Sequence, residues 1–141
     1  MQNFKNHVRY NPLHHFILSP LTLVGVILSI VLLFSDHSLT EKIFFLILAL
    51  SVFLASLIAR LYATKNQDRT IRAELRLRYY ILTGNRLEKL EDKLTMAQLV
   101  ATRFASDEEL AALIERAAKE NLSPKAIKES IKNWTADENR V

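Results

Sequence analysis

Three histidines near the N-terminus are the side chains in this sequence with the widest chemical range. His7, His14 and His15 precede a long apolar run. Neutral imidazole nitrogens can bind a metal ion or haem iron. However, the first 35 residues contain no Asp or Glu, and adjacent residues on a helix point in different directions. The sequence therefore favours anchoring of these rings at a membrane interface, with a metal or cofactor site as the alternative.

Residues suited to catalysis are scarce. The chain has no Cys, which excludes a disulfide, a zinc thiolate site and a thiol nucleophile. It contains no phosphate-binding loop, no G-x-S-x-G elbow and no H-E-x-x-H helix. Ser106 and Ser123 stand where helix N-caps are expected. We predict no catalytic residue, no bound metal and no cofactor, and a protein that is not an enzyme.

A stripe of basic residues offers a possible binding surface. Its members recur at spacings of four, three and four residues, so they share one face of a helix; they are Lys65, Arg69, Arg72 and Arg76, the basic stripe below. Cations beside a membrane bind anionic headgroups, and they can also bind an acidic protein partner. A purely solvated face is the third interpretation. Nucleic acid is not expected as a partner, because aromatic residues do not interleave with these cations.

The elements that position these residues follow from an uneven distribution of charge. The chain of 141 residues carries 19 Lys plus Arg against 15 Asp plus Glu, yet residues 16–59 contain only Asp36, Glu41 and Lys42. Residues 16–34 and 43–63 form two apolar runs, each long enough to cross a hydrocarbon core of about 30 Å. The link between them, residues 35–42, is so short that the two spans must form an antiparallel hairpin.

Basic residues near the spans predict the topology. Lys5 and Arg9 precede the first span and the link has only Lys42, whereas six Lys or Arg residues follow between positions 60 and 78. Basic loops remain in the cytoplasm. We therefore expect residues 1–15 and residues 64–141 to be cytoplasmic, with the link on the outside.

Small residues predict how the spans pack. Gly25 and Ser29 are four residues apart in the first span, and Ser51, Ala55 and Ala59 follow the same spacing in the second. Small side chains let membrane helices approach closely. These two faces could join the spans of one chain or join two chains.

The region after the spans shows helical periodicity throughout. No Gly or Pro interrupts residues 64–83, so the second span should continue as one helix up to Gly84. Its apolar residues Ile71, Leu75, Tyr79 and Leu82 share one face, at spacings of four, four and three residues. Shorter helices follow, with N-caps expected at Thr95, at Ser106 in a capping box with Glu109, and at Ser123. The last helix should present Ile127, Ile131 and Trp134 to the core. The fold class is all-α: a transmembrane hairpin, a long juxtamembrane helix and a small cytoplasmic helical module.

Four segments, taken in order, carry a resemblance to known proteins: NFKNHVRYNPLHHF, LRLRYYILTG, RFASDEEL and LSPKAIKESIKNW. They resemble a family of small uncharacterised bacterial membrane proteins with two spans. The resemblance implies the bacterial cytoplasmic (inner) membrane as the location, and it brings no catalytic residue.

The leading hypothesis is a non-enzymatic membrane protein that anchors a helical interaction module, as an accessory or scaffolding subunit or by assembling with itself. A bilayer with anionic headgroups and a protein partner or second copy are the expected partners. Two alternatives stay open. One is a small membrane-interface enzyme or cofactor carrier that uses His7, His14 and His15; the other is a regulator that binds anionic lipid.

Overall fold

The chain consists of helices and short connections in the part that the computed structural model describes, Phe4 and residues 10–137, with a short extended segment after the last helix. A π-helical turn, Leu13–Leu18, precedes six α-helices: α1 (Ser19–Leu32), α2 (Leu39–Thr83), α3 (Glu88–Glu91), α4 (Met96–Thr102), α5 (Asp107–Glu120) and α6 (Pro124–Ser130). Contacts divide the chain into two compact units. Residues 10–64 form the hairpin unit, and the helical module begins at Lys65. The all-α class predicted from periodicity is confirmed.

The hairpin unit contains two helical segments that are long and apolar enough to cross a membrane. The first is Leu13–Leu32, and the second belongs to the 45-residue helix α2. Their apolar side chains point outward: Phe16 is 70% exposed, Leu21 65% and Phe44 60%. A helix in the core of a soluble protein would bury such side chains.

Pro20 is accommodated close to the start of α1 by the π-helical turn that precedes it. Proline has no N–H, and its ring collides with the carbonyl four residues earlier in a regular helix. A wider turn at Leu13–Leu18 relieves that collision, because its hydrogen bonds span five residues. The helical segment therefore begins at Leu13 and continues through Pro20.

The connection between α1 and α2 is shorter than the predicted link, because α2 begins at Leu39. Ser38 and Glu41 form a capping box: the Glu41 carboxylate accepts from the Ser38 N–H at 3.0 Å, and the Glu41 N–H donates to the Ser38 hydroxyl at 3.3 Å. These bonds satisfy N–H groups at the start of the helix. The last residues of the predicted link thus belong to α2.

At its other end α2 stops where the sequence predicts. The helix ends at Thr83, and Gly84 adopts a φ of 69°, a left-handed conformation that glycine enters without steric cost. Ile71, Leu75 and Tyr79 are buried along this part of α2, as their spacing predicts, whereas Leu82 remains 39% exposed.

The core of the helical module joins α2 to the shorter helices. Its most deeply buried members come from every part of the module: Leu75, Leu87, Leu99, Leu110, Ile114 and Ile127. The predicted cap at Thr95 is present, because its side chain accepts from the Gln98 N–H. Gln98 is itself buried, and its amide donates to the Leu122 carbonyl at 2.8 Å, which ties α4 to the turn before α6.

The C-terminal segment departs from the prediction. Helix α6 ends at Ser130, so Trp134 lies on extended chain and not on the inner face of a helix. Its ring stacks on Phe104, with ring centroids 4.6 Å apart. Backbone bonds hold the segment there, since Ser106 donates to the Asn133 carbonyl and Thr135 donates to the Phe104 carbonyl. Trp134 therefore covers the module beside Phe104 and is half-buried.

Candidate functional site

The basic stripe does not act as a uniform surface, because Arg76 is bound within the module. Its Nε donates to Glu91 Oε1 at 2.8 Å, and its Nη2 donates to the second oxygen of the same carboxylate. Glu88 lies 3.9 Å from the same guanidinium. Arg–carboxylate pairs with two parallel bonds fix geometry as well as charge. Arg76 thus holds the segment around α3 against α2.

The other three members of the basic stripe surround a shallow pocket of about 300 Å³ that Asp68 and Met96 also line. Arg72 donates to the Met96 sulfur at 3.6 Å. Lys65 and Arg69 are exposed, and neither forms an ion pair with another described residue. These cations outnumber the single carboxylate of Asp68. The pocket is therefore suited to an anionic group of modest size.

A second arginine on α2, Arg78, binds the start of α5. Arg78 donates to the Asp107 carboxylate, with its Nε at 3.0 Å from Oδ1. The same guanidinium donates to the carbonyls of Arg103 and Ala105 at 3.2 and 3.0 Å. These carbonyls lie between α4 and α5, where no helical N–H is available to them. The basic charges at positions 76 and 78 thus serve the module's own structure.

The buried Tyr79 on α2 also bonds to another helix of the module. The Tyr79 hydroxyl donates to Glu115 Oε1 at 3.0 Å. Burial, reinforced by the hydrogen bond to this carboxylate, raises the pKa of Tyr79 above its ordinary value of 10.0. The phenol is neutral at physiological pH and acts as a hydrogen-bond donor between α2 and α5. Its position gives no sign of an acid–base role.

The Arg76–Glu91 pair should make the module's stability sensitive to acid. The hydrogen bond from Arg76 holds the pKa of Glu91 below its ordinary value of 4.5. Because the folded pKa is the lower one, the stabilisation is present above pH 4.5 and is lost as pH falls through the lowered value. Glu91→Gln should therefore flatten the loss of stability between about pH 5 and pH 3, measured by urea unfolding.

Two other carboxylates, those of Glu108 and Glu88, determine how much the slope of stability against pH should change. The pKa of Glu108 is also lowered, chiefly by the Ser106 hydroxyl, so the slope should decrease without vanishing. Glu88→Gln is the matched control, because Glu88 reaches Arg76 only at 3.9 Å and should retain most of the slope. An unchanged slope in Glu91→Gln would contradict the assignment.

The small residues of the spans are not brought together within the chain. Ser29 is buried on α1, whereas Ser51, Ala55 and Ala59 are exposed on α2. A Cβ added at Gly25 would meet no atom within 4 Å outside its immediate neighbours, so the helices do not approach closely there. Contact between two copies is the remaining way in which these predicted faces could pack.

The histidines form no metal site in the part of the chain that the structure describes. His14 and His15 contact each other edge to face, with ring centroids 5.2 Å apart, and His15 Nδ1 lies 3.0 Å from the Asn11 carbonyl oxygen. Among described residues no three His, Asp or Glu side chains converge. The predicted partner His7 lies outside the described residues.

One exposed surface of the helical module was missed by the sequence reasoning. Ala73, Leu77, Tyr80 and Ile81 lie on a common side of α2 that the module leaves uncovered, and we call them the outer face. Leu77 is 61% exposed, Tyr80 56% and Ile81 69%. The spacings of four, three and one residues were visible in the sequence. The stripe of Ile71, Leu75 and Tyr79 already provides one apolar face for this helix, and no second apolar face was predicted.

Comparison with known protein families gives a match that covers the whole chain. The model of a family described as "Family of unknown function (DUF6526)" matches residues 1–141. No curated protein and no solved structure matches the chain. The resemblance to an uncharacterised family, inferred from four sequence segments, is thereby confirmed. The chain belongs to the DUF6526 family of unknown function.

Proposed function

We propose that this protein is a non-enzymatic membrane protein of the bacterial cytoplasmic membrane, in which a two-span hairpin anchors a helical interaction module. The observation that carries the proposal is the contrast between the two units. In the hairpin unit most large apolar side chains are exposed, whereas the helical module has a buried apolar core and exposes large apolar side chains mainly on the outer face. A hydrocarbon solvent makes the first arrangement favourable, because the same apolar surface exposed to water would raise the free energy of the folded chain.

The module's own chemistry supports a binding role over catalysis. Its buried and paired polar side chains, among them Arg76, Arg78 and Tyr79, join its helices to one another. Its exposed surface includes the outer face and the cation-lined pocket around Lys65 and Arg69. Such surfaces bind other molecules, and the expected role is that of an accessory or scaffolding subunit.

The topology is tested by reporter fusions. A reporter that is active only outside the cytoplasm should give a signal when it is inserted at His37, in the connection between the spans. The same reporter fused after Val141 should give none, because basic residues after the second span keep the module in the cytoplasm. The reverse pattern would contradict the proposed orientation.

A second role, contact with anionic headgroups, is favoured by the pocket that Lys65, Arg69 and Arg72 line. Each basic residue near the membrane surface contributes about 1 kcal/mol of attraction to an anionic leaflet. Adding phosphatidylglycerol to reconstituted full-length protein should raise its thermal midpoint. Lys65→Gln combined with Arg69→Gln should lose most of that rise, whereas the control pair Lys119→Gln and Lys132→Gln should keep it. Equal losses would point to general charge effects and not to the pocket.

A further inference from the structure

The outer face has the pattern of a helix that pairs with another helix. Thr70 lies on the same side of α2 as the outer face. Together with Ala73, Leu77 and Tyr80 it gives spacings of three, four and three residues, which is the a/d pattern of a coiled-coil seam. All four are exposed in the helical module. Leu77, Tyr80 and Ile81 expose apolar surface side by side, a feature that marks interaction sites on soluble surfaces.

The charges beside this seam specify what would occupy it. Arg69 directly precedes Thr70 and takes the g position, and Glu74 directly follows Ala73 and takes the e position. Both side chains are exposed, and neither forms an ion pair with another described residue. In a parallel pair of helices, a g residue lies beside the e residue five positions later in the partner, and Arg69 and Glu74 are five apart. Opposite charges would then meet twice across a two-fold axis.

We propose that the outer face binds a second copy of this chain, with the two α2 helices parallel and in register. The inference rests on the proposed function, because insertion with one topology makes α2 of every copy run in the same direction. An antiparallel pair would place g residues beside g residues, and since Arg69 and Arg76 both occupy g positions, arginine would lie beside arginine and the charges oppose that arrangement. Ala73 in the seam permits close approach, and confinement to one membrane raises the effective concentration of the two helices.

Disulfide cross-linking of the full-length chain in native membranes tests the pairing. The chain contains no Cys, so each single substitution reports on one position. A residue in the seam of a parallel pair faces its own counterpart, and Leu77→Cys and Tyr80→Cys should therefore give disulfide-linked dimers on mild oxidation. Leu82→Cys is the matched control. Leu82 is also exposed, but it lies about 140° around the helix from Leu77 and should stay monomeric.

Charge reversal tests the register. In the Leu77→Cys background, Arg69→Glu and Glu74→Arg should each remove most of the dimer, because like charges then meet across the seam. The double reversal restores opposite charges and should restore the dimer. No dimer at Leu77, equal dimer at Leu77 and Leu82, or failure of the double reversal to recover would each overturn the proposal, and another protein or lipid on the outer face would give the first of these results.

The same samples separate this inference from the proposed function. Extraction with alkaline carbonate releases proteins that are not inserted in the membrane. If the chain is released, the membrane anchor itself is wrong. If the chain remains in the membrane fraction and Leu77→Cys yields no dimer, only the pairing is wrong.

Discussion

Truncation of Leu75 to alanine should lower the free energy of unfolding of the helical module by about 2–5 kcal/mol. Leu75 is 1% exposed and lies in the core cluster that joins α2 to the shorter helices. Removing its side chain forfeits the transfer free energy of three carbon atoms and leaves a cavity. A domain of about 75 residues has so little stability in reserve that a loss of this size should unfold a large fraction of it.

The chain offers both a probe and a control for this measurement. Trp134 is the only tryptophan and lies in the module, so its emission during urea unfolding of the full chain in mild detergent reports on the module alone. Leu82→Ala removes the same atoms from the same helix at a position that is 39% exposed and should cost clearly less. Equal losses in the two variants would show that Leu75 does not hold α2 to the module.

Local chemistry explains why much of the fold could be predicted from the sequence. The end of α2 at Thr83 depends on Gly84, and the start of α4 depends on Thr95 and Gln98, all of which are neighbours along the chain. The capping box of Ser38 and Glu41 belongs to the same class. It was visible as a Ser three residues before a Glu, but the charged link was interpreted as a loop throughout.

Features that depend on distant partners could not be predicted. Ser106 and Glu109 have the spacing of a capping box, yet the Glu109 carboxylate accepts from the backbone N–H groups of Lys132 and Asn133. These bonds span 23 and 24 residues and help to hold the C-terminal segment extended. The helical spacing of Ile127, Ile131 and Trp134 predicted one continuous helix, but α6 ends at Ser130 and the chain beyond it is extended. Tertiary hydrogen bonds prevail there over periodicity.

The candidate site shows the same limit. Spacing placed the four cations of the basic stripe on one side of α2, but it could not reveal that Arg76 is paired with Glu91, 15 residues later. Nor could it show that Arg72, which is exposed like Lys65 and Arg69, contacts Met96 on α4. Which charges remain available for a ligand is decided by packing, and packing depends on the whole module.

If the hairpin unit lies in lipid and the helical module in water, a second large effect is expected. In lipid vesicles, Trp134 of the native chain should be unaffected by lipids that carry a quencher near the ends of their acyl chains. A tryptophan placed in the middle of the second span by Phe53→Trp, with Trp134→Phe to remove the native signal, should be strongly quenched by the same lipids. Quenching of this kind requires near contact between the quencher and the ring, and the bilayer centre lies about 20 Å from the outer edge of the headgroups.

Depth-dependent quenching of these two tryptophans therefore tests directly whether the hairpin unit lies in lipid and the helical module in water. The Trp134→Phe chain without a new tryptophan provides the background. The expected result is strong quenching at position 53 by the acyl-chain probe, no quenching of Trp134 by that probe, and quenching of the half-buried Trp134 by a water-soluble agent such as acrylamide. Quenching of position 53 by acrylamide and not by the lipid probe, or quenching of Trp134 from the bilayer centre, would contradict it.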